Sequence, residues 1–298
     1  MLRFFYALLT ASLWGGADLF YKRGNDRADT LSHLKTTAAV GIVMGVHAFI
    51  YSLTNNITIT PGAVIRYLPV SFFYILSMLL GYAGLRYLEL SVASPVQNSS
   101  GAVTTLLLLI FLSSTPGNLE IAGILCILAG TIALAFLEQQ APAAAIKKED
   151  KKYRTGAAAF IFPCAYCLLD GMGTFLDGLY LDEYELVTED EALIAYELTF
   201  FLLAVILCVV LRVKKAGFSK QADPSKGIAA LLETAGQYFY VFAMADNALI
   251  TAPLVSSYCV FSIIFSRLFL KEKLNARQYT AAALVVAGIL LLAVSEAL

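Results

Sequence analysis

Charge is scarce in this chain. Only 14% of its 298 residues are Asp, Glu, Lys or Arg, while 59% are hydrophobic, a balance far from that of a soluble domain. The formal net charge of -1, with no basic stripe interleaved with aromatics, excludes a nucleic-acid partner. Histidine is almost missing: His33 and His47 stand alone, too few for a metal site, and both read as structural or incidental. The signatures of catalysis are absent too. There is no glycine-rich phosphate loop, no H-E-x-x-H, no G-x-S-x-G and no G-x-G-D, so neither a cofactor nor a metal is expected. An intramembrane enzyme, using paired aspartates to activate water, is thereby left without its usual marks. The cysteines number five, an odd count, and all fall in apolar stretches, which excludes a disulfide framework. Cys164 and Cys167 make a CxxC, but outside a βαβ context that spacing reads as helix packing.

What is present is apolar length. A run of about twenty apolar residues crosses the roughly 30 Å of hydrocarbon in a bilayer, and such runs recur from end to end. Spans are expected near 3–22, 31–53, 67–88, 92–113 and 118–137, then near 155–178, 192–212, 226–245, 248–270 and 277–296. Arg3 precedes the first run as in a signal peptide, but the run continues through Trp14 to Phe20 without an A-x-A site and reads as a span. The fold expected is all-α integral membrane, with ten transmembrane helices. Residues 1–137 form a first five-helix unit, 138–154 a charged cytoplasmic linker ending in Lys147-Lys148-Glu149-Asp150-Lys151-Lys152, and 155–298 a second five-helix unit.

The two units align on each other. A shift of 158 pairs Tyr82 with Tyr240, Pro95 with Pro253, Ser99 with Ser257, Ala129-Gly130 with Ala287-Gly288 and Glu138 with Glu296, without a gap. For the first span of each unit a shift of 152 pairs Trp14 with Tyr166 and Asp18 with Asp170. An odd number of spans per unit makes such repeats inverted, with a binding site near the midplane and alternating access to it. Nineteen of the 21 lysines and arginines sit in or beside the loops after spans one, three, five, seven and nine, leaving Arg3 and Arg66 on the other face. By the positive-inside rule those loops are cytoplasmic and both termini face outward, in a plasma (inner) membrane.

A carboxylate at depth costs roughly 2.5–3.5 kcal/mol on insertion scales, so each should face the bundle interior or water. Asp18, Asp170, Glu197 and Glu233 stand out; Asp177 and Asp246 lie near span ends, where headgroup water would solvate them. Trp14 and Asp18 share one helical face, as do Tyr166 and Asp170. If both faces line one cavity, aromatic rings and carboxylates together cradle an ammonium group; the competing reading puts Trp14 in an interfacial belt and Asp18 against Lys22. Glu233, Gln237 and Tyr240 draw a polar stripe at i, i+4 and i+7 that lipid would not tolerate. Tyr82, the partner of Tyr240 in the alignment, joins the candidates. Gln97 and Asn98 follow Pro95, and Ser256 and Tyr258 follow Pro253, where proline frees carbonyls beside a cavity. Gly15, Gly16, Gly123, Gly130 and Gly288 read as close-packing positions.

Some of these stretches carry a family resemblance. Ala11-Ser12-Leu13-Trp14-Gly15 with Lys22, Tyr87-Leu88-Glu89-Leu90-Ser91-Val92-Ala93-Ser94-Pro95, and Phe269-Leu270-Lys271-Glu272-Lys273-Leu274 followed by Ala287-Gly288 are similar to the drug/metabolite transporter superfamily, in its EamA-like ten-helix group. The resemblance implies two inverted five-helix repeats, a central cavity and small-molecule cargo such as amino acids, amines, nucleotide sugars or drugs. The first half departs from it, with Ser113-Ser114-Thr115-Pro116-Gly117 in place of the basic-acidic turn. Acidic and aromatic lumen groups favour a cationic or zwitterionic solute or a proton-coupled cycle, an argument that an inward-pointing Arg267 would weaken. The partners expected are this solute and membrane lipid, for a monomer or homodimer.

Overall fold

The computed structural model describes residues 2–25, 29–58, 60–85, 90–111, 116–139, 161–217, 223–271 and 275–297. Among them there is no strand. Among the described residues ten helices follow one another: α1 (Leu2–Gly24), α2 (Ser32–Asn55), α3 (Pro61–Gly84), α4 in two pieces (Leu90–Asn98 and Ser100–Phe111), α5 (Asn118–Gln139), α6 (Ile161–Gly178), α7 (Glu189–Val213), α8 (Asp223–Met244), α9 (Ala248–Ser256 and Tyr258–Phe265, running on as a π-turn to Leu270) and α10 (Ala276–Ala297). The linker at 140–160, the turn residues Glu272, Lys273 and Leu274, and the side chains of Pro95, Glu138 and Glu296 lie outside the described residues.

The bundle sets polar side chains within an apolar interior and is apolar outside. Thr10, Ser71, Ser77, Ser94, Gln97, Thr104 and Glu233 are buried, while Leu53, Ile65, Phe72, Leu106, Leu202, Ile206 and Leu290 are exposed, as hydrocarbon rather than water demands. Five helical spans are long and apolar enough to cross a membrane: 32–55, 61–84, 189–213, 248–270 and 276–295. Two shorter apolar stretches, 96–111 and 118–134, lie in α4 and α5. The helices absent from both sets are α1, α6 and α8, and these carry Asp18, Asp170 and Glu233.

Several boundaries differ from expectation for local reasons. Helix α3 begins six residues earlier than expected, at Pro61, because Thr60 caps it through a 3.4 Å bond from the Ala63 amide and proline suits the first helical turn. Helix α7 begins at Glu189 on a capping box between Thr188 and Glu191. The fourth and ninth spans, expected to be continuous, break at Ser99 and Ser257, four residues after Pro95 and Pro253. At each break a tightened i→i+3 bond replaces the helical one: Ala102 N to Ser99 O at 3.0 Å, Val260 N to Ser257 O at 2.9 Å.

Helix α1 packs chiefly on α8 and on the second piece of α9; α6 packs chiefly on α3 and on the second piece of α4. Exchanging each helix for the one five places on maps the first pair of contacts onto the second. The contacts of α2 with α7 and of α5 with α10 map onto themselves. The α5–α10 contact depends on missing side chains: a Cβ on Gly288 would stand 2.7 Å from the Gly123 carbonyl oxygen.

Candidate functional site

Helix α1 turns one face toward the bundle interior. Thr10 Oγ1 donates to the Gly236 carbonyl at 3.1 Å and Trp14 Nε1 to the Glu233 carbonyl at 3.2 Å, so two neighbouring turns of α1 are tied to α8. The indole lies over Gly236, where a Cβ would meet it at 2.4 Å. Its ring centroid is 5.2 Å from that of Tyr240 and 6.0 Å from that of Tyr258. Trp14 is therefore part of the interior and not of an interfacial belt.

One turn on, Asp18 is 9% exposed and accepts hydrogen bonds from Ser94 Oγ at 2.9 Å and Ser262 Oγ at 2.7 Å. Lys22 donates to the Leu85 carbonyl at 3.0 Å, toward the end of α3. Asp170, the counterpart on α6, accepts from Ser100 Oγ at 2.7 Å. Glu233 on α8 is 7% exposed and accepts from the Tyr21 hydroxyl at 3.2 Å, which in turn accepts from Tyr82 at 2.9 Å. All three acids are thus served by neutral hydroxyls.

They line one cavity. Of the residues expected to form a site, it is lined by Trp14, Asp18, Tyr82, Gln97, Tyr166, Asp170, Glu233, Gln237 and Tyr258. Asn98, Tyr240 and Ser256 line a second, smaller space, which shares Trp14, Tyr166, Asp170 and Tyr258 with the first. Among the described residues no Lys, Arg or His lines either space. Arg267 is exposed and lies over the Tyr279 ring at 4.8 Å, away from both. Among the described residues no three His, Cys, Asp or Glu come together as a metal site requires.

Glu197 is the exception. It is fully buried outside both cavities, with both carboxylate oxygens on His47 Nδ1, at 2.8 and 2.9 Å. His47 is accordingly neither isolated nor incidental. Tyr51 and Tyr238 close round the imidazole at ring distances of 5.7 and 6.2 Å. Asp177 also departs from expectation. It is fully buried rather than solvated at a span end, accepting from the Tyr67 hydroxyl and from Tyr74 at 3.3 Å. Asp246 is exposed, as its place near a span end implied.

Tyr21, Tyr74, Met78 and Tyr196 also line the main cavity and were not singled out in the sequence. Tyr21 had a signal, standing three residues after Asp18 and seven after Trp14 on the same helical face. Tyr74 and Met78 share a face with Tyr67 and Gly81 in α3, but in an apolar helix rich in aromatics that face carried no polar mark. Tyr74 hydrogen-bonds the Tyr240 hydroxyl at 2.5 Å and so links α3 to α8.

The model of the EamA-like transporter family matches residues 1–136 and 189–294. The stretch between, left unmatched, contains α6 and its Asp170. A crystal structure described only as that of a protein is similar over 95% of this chain and 96% of its own, with a TM-score of 0.65 at 15% identity, a likeness of fold. No curated protein matches the sequence.

Proposed function

Because the chain belongs to the EamA-like transporter family, we propose that it is a secondary-active carrier that moves a small cationic or zwitterionic solute across the bilayer by alternating access. One observation carries the choice of cargo. Asp18, Asp170 and Glu233 line a single aromatic-walled cavity, and among the described residues no basic side chain lines it with them. A buried carboxylate gains from an opposite charge far more than from a neutral donor, and Trp14, Tyr166 and Tyr258 add ring faces that attract an organic cation. An anionic or nucleotide-linked cargo would face three acids with no counter-charge.

The mechanical half of the proposal is that residues 1–137 and 155–298 are inverted five-helix repeats joined by the linker at 138–154. Two features support it: the exchange symmetry of the helix contacts, and the helix breaks at Ser99 and Ser257, which the shift of 158 superposes. Two tyrosine–carboxylate clusters then act as gates. Tyr21, Tyr82 and Glu233 tie α1, α3 and α8 on one side, while Tyr67, Tyr74, Asp177 and Tyr240 tie α3, α6 and α8 on the other. Tyr82 and Tyr240 correspond under the repeat, as do Asn25 and Asp177, and Asn25 Nδ2 donates to the Tyr82 carbonyl at 3.0 Å. Opening one cluster while the other holds exposes the cavity to one side at a time.

The lysine and arginine bias places both termini outside in a plasma (inner) membrane under this reading. Arg3 and Arg66, the two basic residues on the outer face, bond to the Phe242 carbonyl at 2.5 Å and the Leu186 carbonyl at 2.8 Å.

The test is ligand-dependent stability. Purified protein is heated with quaternary amines, amino acids, nucleotide sugars and organic anions, since a solute that binds only the folded state raises the melting temperature. Amines or amino acids are expected to stabilise wild type and to lose that effect in Glu233→Gln. Stabilisation by anions alone, or a cation response untouched by Glu233→Gln, refutes the proposal.

A further inference from the structure

The acidic cavity contains two side chains that the cation reading leaves idle. Gln97, on the first piece of α4, and Gln237, on α8, are 4% and 3% exposed, and neither Nε2 has a hydrogen-bond partner. Both line the cavity. The acids beside them are differently placed: Ser94, Ser262, Ser100 and Tyr21 already donate to Asp18, Asp170 and Glu233. The wall therefore presents supplied acceptors and unsupplied donors. A buried amide left without a partner is expensive, so the pair is better explained by an acceptor that arrives from outside.

Position sharpens this. Gln237 stands four residues after Glu233, one turn up the same helical face, with about 5–6 Å between such Cβ atoms. Gln97 Nε2 lies 3.0 Å from where a Cβ on Gly81 would stand, and the Tyr166 ring is 2.7 Å from the same point. Tyr166 is one turn before Asp170. Gln237 thus shares a helical face with Glu233, and Gln97 shares the cavity with Asp170.

Resting on the cation site proposed above, we propose that Gln97 and Gln237 are specificity-determining residues that read an acceptor group next to the solute's cationic nitrogen. The preferred cargo is then a compact zwitterion, with its ammonium on the acids and its carboxylate on the amides, rather than a plain amine.

Three probes with the same ring separate these features: phenylalanine has both charges, phenethylamine only the ammonium, phenylacetate only the carboxylate. Apparent affinities for the full chain come from melting temperature against ligand concentration. Wild type is expected to bind phenylalanine about tenfold more tightly than phenethylamine, the worth of a hydrogen bond to a charged group. Gln97→Leu and Gln237→Leu should each reduce that preference severalfold by weakening phenylalanine more than phenethylamine, and a cooperative melt without ligand shows that the variants are folded. Gln237→Glu, which keeps the size and removes the donors, should turn the preference toward the amine. Equal affinities for phenylalanine and phenethylamine in wild type overturn this inference and leave the cation site standing. So does a joint loss of both responses in the two leucine variants. Binding of phenylacetate alone, or of none of the three, overturns the cation site as well.

Discussion

Glu197 and Glu233 make an instructive pair. Both sit on helices of the second half and both are almost wholly buried, at 0% and 7% exposure. Glu197 has an imidazole against both its oxygens, supplied by His47 from α2. Glu233 has the Tyr21 hydroxyl and, around the same cavity, two further acids. A buried charge is tolerated when it is paired. At Glu197 the chain provides the basic partner, and the pair fastens α2 to α7. At Glu233 it provides only neutral donors and open space. The difference marks Glu197 as a structural acid and Glu233 as the acid to which our proposal assigns the cation.

The comparison breaks most sharply at His47. His47→Leu strands the buried Glu197; because His47 itself is 32% exposed, stability should fall by about 2 kcal/mol, the cost of leaving a buried acceptor without its partner. The double variant His47→Leu with Glu197→Leu should recover most of it, and phenethylamine affinity should hold throughout; thermal melts with and without that amine give both readings. A His47→Leu protein of normal stability that no longer binds the amine would place the pair in the transport machinery instead.

Glu233→Gln is the converse experiment. Cation affinity should fall by a factor on the order of tenfold to a hundredfold, while unliganded stability should hold or rise, because like charges around the cavity are reduced. A large stability loss here would mean that Glu233 is structural, as Glu197 is.

Gly81→Ala tests the space between the two acidic faces. The added methyl would meet the Tyr166 ring at 2.7 Å, and overpacking of this kind costs about 1 kcal/mol. Uptake should fall severalfold with a small drop in melting temperature, because the ring must yield into the cavity.

The smallest effect belongs to an acid outside the membrane spans. Burial pushes the Asp29 carboxyl up, but the 2.6 Å bond from Lys35, the Leu31 amide and the charges of Lys35 and Lys226 outweigh it and hold it below the ordinary value of 3.8. Its contribution is therefore present above that value and lost as pH falls through the lower, folded-state value. With a quarter of its side chain exposed, Asp29→Asn should cost under about 1 kcal/mol at neutral pH, and the difference between variant and wild type should vanish in strong acid.

The position of the breaks in α4 and α9 was half legible. Pro95 and Pro253 marked both helices, yet the breaks fall at Ser99 and Ser257, where the tightened turns form. The acidic faces of α1 and α6 were legible because an aromatic and an acid four residues apart must share a side of a helix. Glu197 was singled out by the same depth argument as Glu233, which weighs the burial of a charge but is blind to its partner.

Sequence alone determined that this chain is a helical membrane protein, and which turn of α1, α6 and α8 carries an acid. Those properties depend on apolar length and on a 3.6-residue period, both local. Only the tertiary structure decided which acids share a cavity, that His47 reaches Glu197 across 150 residues of chain, and that tyrosines of α3 bond to α1, α6 and α8. In hydrocarbon the outward face of a helix and much of its inward face are equally apolar, so the pattern along a single helix leaves its rotation about its own axis open. That rotation is set by neighbouring helices, and it assigns each polar side chain its partner.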